Sequence, residues 1–167
     1  MKLIFAVDKN WSIGMGGDML FYISTDLKRF KEITMNNILL MGRRTLESLP
    51  GSKPLPGRTN IVLTRNESYQ NPPALVVHSL EEAYDLIDTL NAEGKKEVFC
   101  IGGGNLVDQV LDKCDYAYIT KVDKAFEAWD TEIPNLDQMD DWEIVKESEV
   151  MKDKDLSYKY VEYRRKR

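Results

Sequence analysis

The residues of this sequence that could do chemistry fall into a few short segments, and Asp26 stands in the first. On a helix beginning near Ser24 it shares a stripe with Phe30 and Ile33, at i, i+4 and i+7, so its carboxylate lies on the apolar face. An acid in the first turn can simply complement the helix dipole. It can also grip a cationic or amidine-like group through paired hydrogen bonds, its proton affinity tuned by burial. Arg58 closes the loop Lys53-Pro54-Leu55-Pro56-Gly57-Arg58. Two prolines limit that loop, and a planar guanidinium at its end suits bidentate capture of a carboxylate, a surface turn being the plainer reading.

Other segments suit a phosphorylated ligand. Ile101-Gly102-Gly103-Gly104-Asn105 follows an apolar run and opens a helical one, so backbone N–H groups and the helix dipole there would favour an anion. It is not the dinucleotide fingerprint: Val107 stands where a third spaced glycine is needed, and the motif belongs after the first strand, not the fifth. A structural turn is the alternative. Arg43, Arg44 and Thr45 begin another helical stretch after a strand, and Thr64 and Arg65 lie just past the next strand. Each arginine alone reads as a solvated charge. Together, at the carboxyl ends of parallel strands, they form the cationic pocket that a phosphorylated dinucleotide needs. Residues 11 to 20, WSIGMGGDML, have the Gly- and Met-rich composition of a mobile lid, or of a loop without function.

The remaining composition narrows the field. A chain of 167 residues with 23 Lys plus Arg against 28 Asp plus Glu carries a formal net charge of −5, which argues against a general nucleic-acid binder. The closing Arg164, Arg165, Lys166 and Arg167 read as a solvated end. Two cysteines, Cys100 and Cys114, lack metal-ligand spacing, and the single histidine, His78, leaves no partner for a zinc site or a Ser-His-Asp triad; no metal is expected. The first apolar run meets Asp8 and Lys9 at once, too early for a signal segment, and no later run approaches membrane length. A soluble, cytoplasmic protein is expected, with a monomer as the default.

The elements that must position these residues are legible as apolar runs. Residues 2–7, 37–42, 59–64, 74–78 and 97–102 each fit a strand buried on both faces. Helices are predicted over 24–33, 43–49, 79–90 and 105–111, the third opened by the capping box Ser79-x-x-Glu82. Strands alternating with helices imply a mostly parallel sheet. The runs 116–122, 142–150 and 158–165 then alternate with period two, and the last two should pair as an antiparallel hairpin at an edge. Without repeats or linkers, one α/β domain over 1–167 accounts for the chain.

Taken in order, these segments resemble dihydrofolate reductase: Ala6-Val7-Asp8 and Ser12-Ile13-Gly14, the Asp26 helix with Asp-Leu-Lys-Arg-Phe, MGRRTLESL at 41–49, PLPGRTNIVLTR at 54–65, the glycines at 102–104, YITKV at 118–122, and Asp130-Thr131 followed by Pro134. The resemblance implies a central eight-stranded sheet, mostly parallel with an antiparallel C-terminal strand at its edge, and four flanking helices. It implies reduction of 7,8-dihydrofolate to tetrahydrofolate by NADPH, in support of one-carbon metabolism, with antifolates as further ligands. Asp26 then takes the role of the acid that grips the pterin ring and favours protonation at N5, and Arg58 that of the clamp on the glutamate α-carboxylate. Ile4, Leu27, Phe30 and Leu49 match the apolar walls of the folate pocket, and Thr120 the threonine beside the acid. Ala6, Ile13, Gly14 and Met19 match the nicotinamide side. Arg43, Thr64 and Arg65 match positions near the adenosine 2'-phosphate, and Arg44, Thr45, Gly102, Gly103, Gly104, Asn105 and Leu106 those at the pyrophosphate.

The sequence departs from the family pattern in three places. Met19-Leu20-Phe21 stands where Leu-Pro-Trp is usual, Val107 where many members have tyrosine, and Trp129 where glycine is common before Asp130. Two other functions use parts of the same set. A riboflavin-pathway reductase shares fold and NADPH but has no use for Asp26 and Arg58, and a nucleotide-binding module without chemistry would keep only the glycines.

Overall fold

The computed structural model describes every residue except Gly17 and Arg167, so one residue of the lid stretch and the last of the basic tail lie outside the described residues. In chain order the elements are β1 (Lys2–Val7), β2 (Ser12–Met15), β3 (Asp18–Met19), α1 (Ser24–Thr34), β4 (Ile38–Gly42), α2 (Arg43–Ser48), β5 (Thr59–Leu63) and β6 (Leu75–Val77). Then come α3 (Leu80–Leu90), β7 (Val98–Cys100), α4 (Gly104–Val110), β8 (Tyr116–Val122), β9 (Thr131–Glu132), β10 (Trp142–Glu147), β11 (Met151–Asp153) and β12 (Leu156–Arg165). Single α/β architecture with four helices is what the alternation predicted.

The main sheet runs β10-β12-β8-β1-β7-β4-β5-β6, with the short β11 added alongside β12. β8, β1, β7, β4, β5 and β6 are mutually parallel. β12 runs antiparallel to both β8 and β10, and this C-terminal hairpin closes one edge. The central parallel strands β1, β7, β4 and β5 are buried on both faces, which is why they read as unbroken apolar runs. Leu3, Phe5 and Val7 of β1 join Ile38, Leu40, Val98 and Cys100 on the face covered by α3 and α4. Ile4, Leu39, Met41 and Phe99 turn to the other face, against Phe30 and Ile33 of α1 and Leu46 of α2.

Local chemistry explains the element ends. Ser79 caps α3 by accepting from the Glu82 N–H at 3.1 Å, as the capping box requires, while the Glu82 carboxylate reaches back one residue further, to the His78 N–H at 2.8 Å. The strand predicted over 142–150 stops at Glu147, because the ladder bulges between Ile144 and Lys146 and the Ser148 hydroxyl then takes the Tyr160 N–H at 2.8 Å. A second, small sheet, β3-β2-β9, was not anticipated: the lid stretch pairs with itself through Gly14 and Met19, and with β9 through Gly14 and Thr131.

Candidate active site

All the parallel strands point one way, so their carboxyl ends form one rim, and β1, β7 and β4 bring three predicted segments together there. The Gly42 N–H donates to the Gly102 carbonyl at 2.8 Å, tying the end of β4 to the glycines after β7. Ala6 of β1 is the register partner of Thr120 in β8. Thr120 is buried, and its Oγ1 donates to Asp26 Oδ1 at 2.5 Å. A nicotinamide-side candidate and the residue that holds the acid are therefore neighbours on one rung.

Asp26 sits in the first turn of α1, where the sequence put it. Burial pushes its carboxyl above the ordinary aspartate range, against the opposing pull of the Thr120 hydrogen bond and of the Arg29 charge. Its other oxygen takes no hydrogen bond from the described residues. Leu27 is 42% exposed beside it. Phe30 and Leu49 are partly buried against the cluster that contains Ile4, so these apolar candidates line one side of the acid's helix.

Arg58 lies at the far end of the same helix. Its Nε donates to the Pro56 carbonyl at 2.9 Å and its Nη1 to Thr34 Oγ1 at 3.2 Å, while Thr34 Oγ1 donates to the Phe30 carbonyl at 2.7 Å. Part-burial lowers its proton affinity from the usual arginine value. Asp26 and Thr34 are eight residues apart, a rise of about 12 Å along the helix. The loop before Arg58 is shaped by Asn60, whose amide bonds Leu55 through both its oxygen and its nitrogen, at 3.1 and 3.0 Å. Gly57 has φ +76°, a conformation that glycine adopts without strain, and a Cβ there would have to displace the Met35 thioether at the end of α1. Asn60 and Thr34 were not singled out from the sequence; neither type advertises a role until the loop is seen folded around it.

The cofactor-side candidates are held differently. Gly42 and Gly103 are the N-caps of α2 and α4, and neither helix has a side-chain cap, so their first amides are left to a ligand or to solvent. The three glycines serve separate needs. Gly102 has φ +111°, and a Cβ on Gly104 would meet the Glu132 carbonyl at 2.4 Å, whereas a Cβ on Gly103 would meet only Thr45 Oγ1, at 3.9 Å. Backbone geometry accounts for Gly102 and Gly104; Gly103 leaves open space beside Thr45. Asn105 is exposed, and Leu106 turns its side chain into the core, as does Val107.

Arg44 and Arg65 are exposed, and Arg43 pairs with Glu47 at 3.2 Å within α2. Thr64 Oγ1 accepts the Asn66 N–H at 3.1 Å, and its carbonyl contacts His78 Nδ1 at 2.9 Å. Ile13 and Gly14 belong to the lid sheet, with Met19 41% exposed.

The three departures have structural counterparts. Phe21 is buried and stacks on Phe126 at 5.6 Å, within a small third cluster at the foot of the lid. Asp8, buried beneath, takes the Asn10 and Ser12 N–H groups at 2.9 Å and the Phe126 N–H at 3.0 Å, joining the start of the lid to the loop after β8. Trp129 is 39% exposed. Next to it, Asp130 accepts the Gly16 N–H of the lid at 2.9 Å.

The chain matches the dihydrofolate reductase family over residues 1–167. It belongs to that family. The curated dihydrofolate reductase of Bacillus subtilis strain 168 is 34% identical over 160 residues, covering 96% of this chain and 90% of its own. That of Staphylococcus haemolyticus is 33% identical over 160 residues, covering 96% and 91%. A solved structure of dihydrofolate reductase from Enterococcus faecalis complexed with NADP(H) and RAB-propyl superposes with a TM-score of 0.82 at 37% identity, over 98% of this chain and 95% of that one. The reaction of a dihydrofolate reductase is the reduction of dihydrofolate by NADPH, and this chain is an NADPH-dependent oxidoreductase of that kind. Among the described residues no helix is long and apolar enough to cross a membrane, and no group of three or more His, Cys, Asp or Glu is placed to hold a metal ion.

Proposed function

We propose that the rim formed by β1, β7 and β4, together with α1, is the site where 7,8-dihydrofolate is reduced, with Asp26 as its acid. The observation that carries this is the half-buried carboxylate fixed by Thr120 at one oxygen, with the other oxygen taking no hydrogen bond from the described residues. A carboxylate so placed accepts a pair of hydrogen bonds from a flat amidine-like edge and orients the ring. Burial raises its proton affinity toward the range where an acid assists protonation at neutral pH, here at N5 of the pterin. Ile4, Leu27, Phe30 and Leu49 exclude water around that ring, and Arg58, about 12 Å of helix away, pairs with the glutamate α-carboxylate through donors that Pro56 and Thr34 do not use.

The residues present also fit NADPH. Uncapped amides at the starts of α2 and α4 and the space left by Gly103 beside Thr45 suit a pyrophosphate held by Arg44, Thr45 and residues 102–106. Arg43, Thr64 and Arg65 would take the 2'-phosphate, and Ala6, Ile13, Gly14 and Met19 the nicotinamide end. NADPH supplies the hydride when bound. The protein's part is to bring two flat rings together beside the Ala6–Thr120 rung and keep water out. The reading extends to a single-domain, monomeric enzyme working in the cytoplasm, with dihydrofolate and antifolates as its small-molecule partners.

The test is the loss of reduced-nicotinamide absorbance with dihydrofolate, run beside NADH and beside no folate. Folate-dependent oxidation with a preference for NADPH is expected in wild type, and its collapse in Asp26→Asn. Unchanged turnover in Asp26→Asn would refute the assignment of the acid.

A further inference from the structure

One charged neighbour of Asp26 lies outside the residues proposed to bind the ring. Arg29 follows three residues later on α1, on the same helical face. Its guanidinium stacks 3.9 Å from the ring centroid of Tyr160 and stands 5.8 Å from that of Tyr118. Tyr160 of β12 is the cross-strand partner of Thr120, the residue that holds Asp26, so acid, threonine, tyrosine and arginine gather at one place on the sheet.

The charge of Arg29 is only loosely answered elsewhere. Its nearest carboxylate, Glu162, is 3.8 Å away, beyond hydrogen-bond range, although the two side chains are just 22% and 14% exposed. Glu162 is also shared: it accepts the Tyr116 hydroxyl at 2.6 Å, and Lys146 of β10 reaches it at 3.9 Å. A guanidinium lying on an aromatic face is partly desolvated, so its field reaches nearby groups with less screening than a surface arginine's.

We propose that Arg29 is a positioning residue for the reaction, acting through Asp26: fixed on the Tyr160 ring and three residues along the same helical face, it keeps a positive charge beside the acid and favours the ionised carboxylate. This rests on Asp26 being the acid. The groups facing the pair act in both directions. Burial holds the Asp26 proton on, while the Thr120 hydroxyl from β8 and Arg29 from α1 itself help it leave. From β12, Tyr160 and Glu162 flank the guanidinium, and Tyr158 meets Thr25 beside the acid at 2.6 Å. Among the described residues Arg29 is the charged group that favours the ionised Asp26, behind the larger effects of burial and of the Thr120 hydrogen bond. Without it, burial would act less opposed and the acid would keep its proton to higher pH.

The experiment is the pH dependence of the single-turnover rate of NADPH oxidation with dihydrofolate. In Arg29→Gln the alkaline fall of the rate should move up by about 0.5 to 1 pH unit, an opposite charge at short range commonly shifting a carboxylate by that much or more. Arg29→Lys, which keeps the charge but loses the planar stack, should lie between the two. Glu162→Gln should move the fall to lower pH, since it removes both a negative charge and the partner that draws on Arg29; it serves equally well if Arg29→Gln does not fold. A uniform loss of rate in Arg29→Gln with the profile unmoved would mean that the stack merely pins α1 to the sheet, and would overturn the proposal. An alkaline fall that persists unaltered in Asp26→Asn is a different failure, that of the acid's assignment. If Asp26→Asn abolishes the fall while neither Arg29→Gln nor Glu162→Gln moves it, the acid stands and Arg29 is not its tuner.

Discussion

The two halves of the proposed site are built on different plans. On the folate side each charged group is already held: Asp26 by the buried Thr120, and Arg58 by Pro56 and Thr34, with Asn60 shaping the loop that carries the arginine. On the proposed cofactor side Arg43 has only an exposed i,i+4 pairing with Glu47, Arg44 and Arg65 are exposed, α2 and α4 start without side-chain caps, and the lid presents Met15 and Met19 at 47% and 41% exposure. The contrast teaches where recognition is prepared and where it is completed. A substrate that must be oriented at one ring edge and at one distant carboxylate gains from donors and acceptors fixed beforehand. A long, highly charged cofactor can bring its own order to exposed arginines and open amides, which then serve as a general anion surface.

The sharpest way to break this comparison is to remove the fixed acid. Asp26→Asn keeps size and the contact with Thr120 but loses the charge, and NADPH oxidation at neutral pH should fall by about 10²- to 10⁴-fold while NADPH binding is retained. Next in size is Arg58→Leu, which leaves the substrate carboxylate unpaired. Folate affinity should drop by roughly 2 to 5 kcal/mol with NADPH affinity little changed, measured by titration of each ligand separately. Equal weakening of both ligands would mean that Arg58 does not belong to the folate half.

The glycines sharpen the cofactor half. Gly104→Ala drives a Cβ to 2.4 Å from the Glu132 carbonyl. Overpacking of that kind typically costs about 1 to 3 kcal/mol, so its unfolding midpoint in urea should fall. Gly103→Ala meets only Thr45 Oγ1, at 3.9 Å, and should leave stability near wild type while weakening NADPH. The pair separates a glycine required by the fold from one that leaves room for a ligand. Loss of stability in both, or loss of NADPH binding in neither, would remove that distinction.

Much of this was legible in the sequence, and the reason lies in which forces act locally. Buried parallel strands announce themselves as apolar runs, the Asp26 helix by its stripe, and α3 by its cap. The ordered set of motifs was specific enough to name the family before any geometry. What stayed hidden depends on contacts between segments far apart in the chain. The lid sheet needs Gly14 to meet Thr131, a pairing of short strands with no periodicity to detect. Asn60 and Thr34 are ordinary polar residues until the loop before Arg58 closes around them. In the sequence Arg29 is one charge among several on a helix; the stack that sets it apart depends on Tyr160, which lies in the last strand. Part of the glycines' role is hidden for the same reason: a turn or a ligand's approach can be read from Gly102–Gly104, but not the Glu132 carbonyl that excludes a side chain at Gly104.

The smallest expected effect concerns the seam between the halves. Asp130 accepts hydrogen bonds from the Gly16 N–H and the Thr131 hydroxyl, and these hold its carboxyl below the ordinary aspartate value of 3.8. A depressed carboxyl contributes its stabilisation above that value and loses it as pH falls through the lower, folded value; the contact with the lid should therefore be intact at neutral pH and released only in strong acid. Because Asp130 is fully exposed, the bond is screened, and Asp130→Ala should leave global unfolding unchanged. Its mark should instead be local: faster exchange of the Gly16 amide and a KM for NADPH raised a few-fold, with folate affinity unaltered. That asymmetry follows from the proposed plan of the site, in which the lid borders the ligand that completes the pocket and not the side that is fixed in advance. Equal changes in both affinities would show that the lid organises the folate half as well, and the two halves would then have to be treated as one.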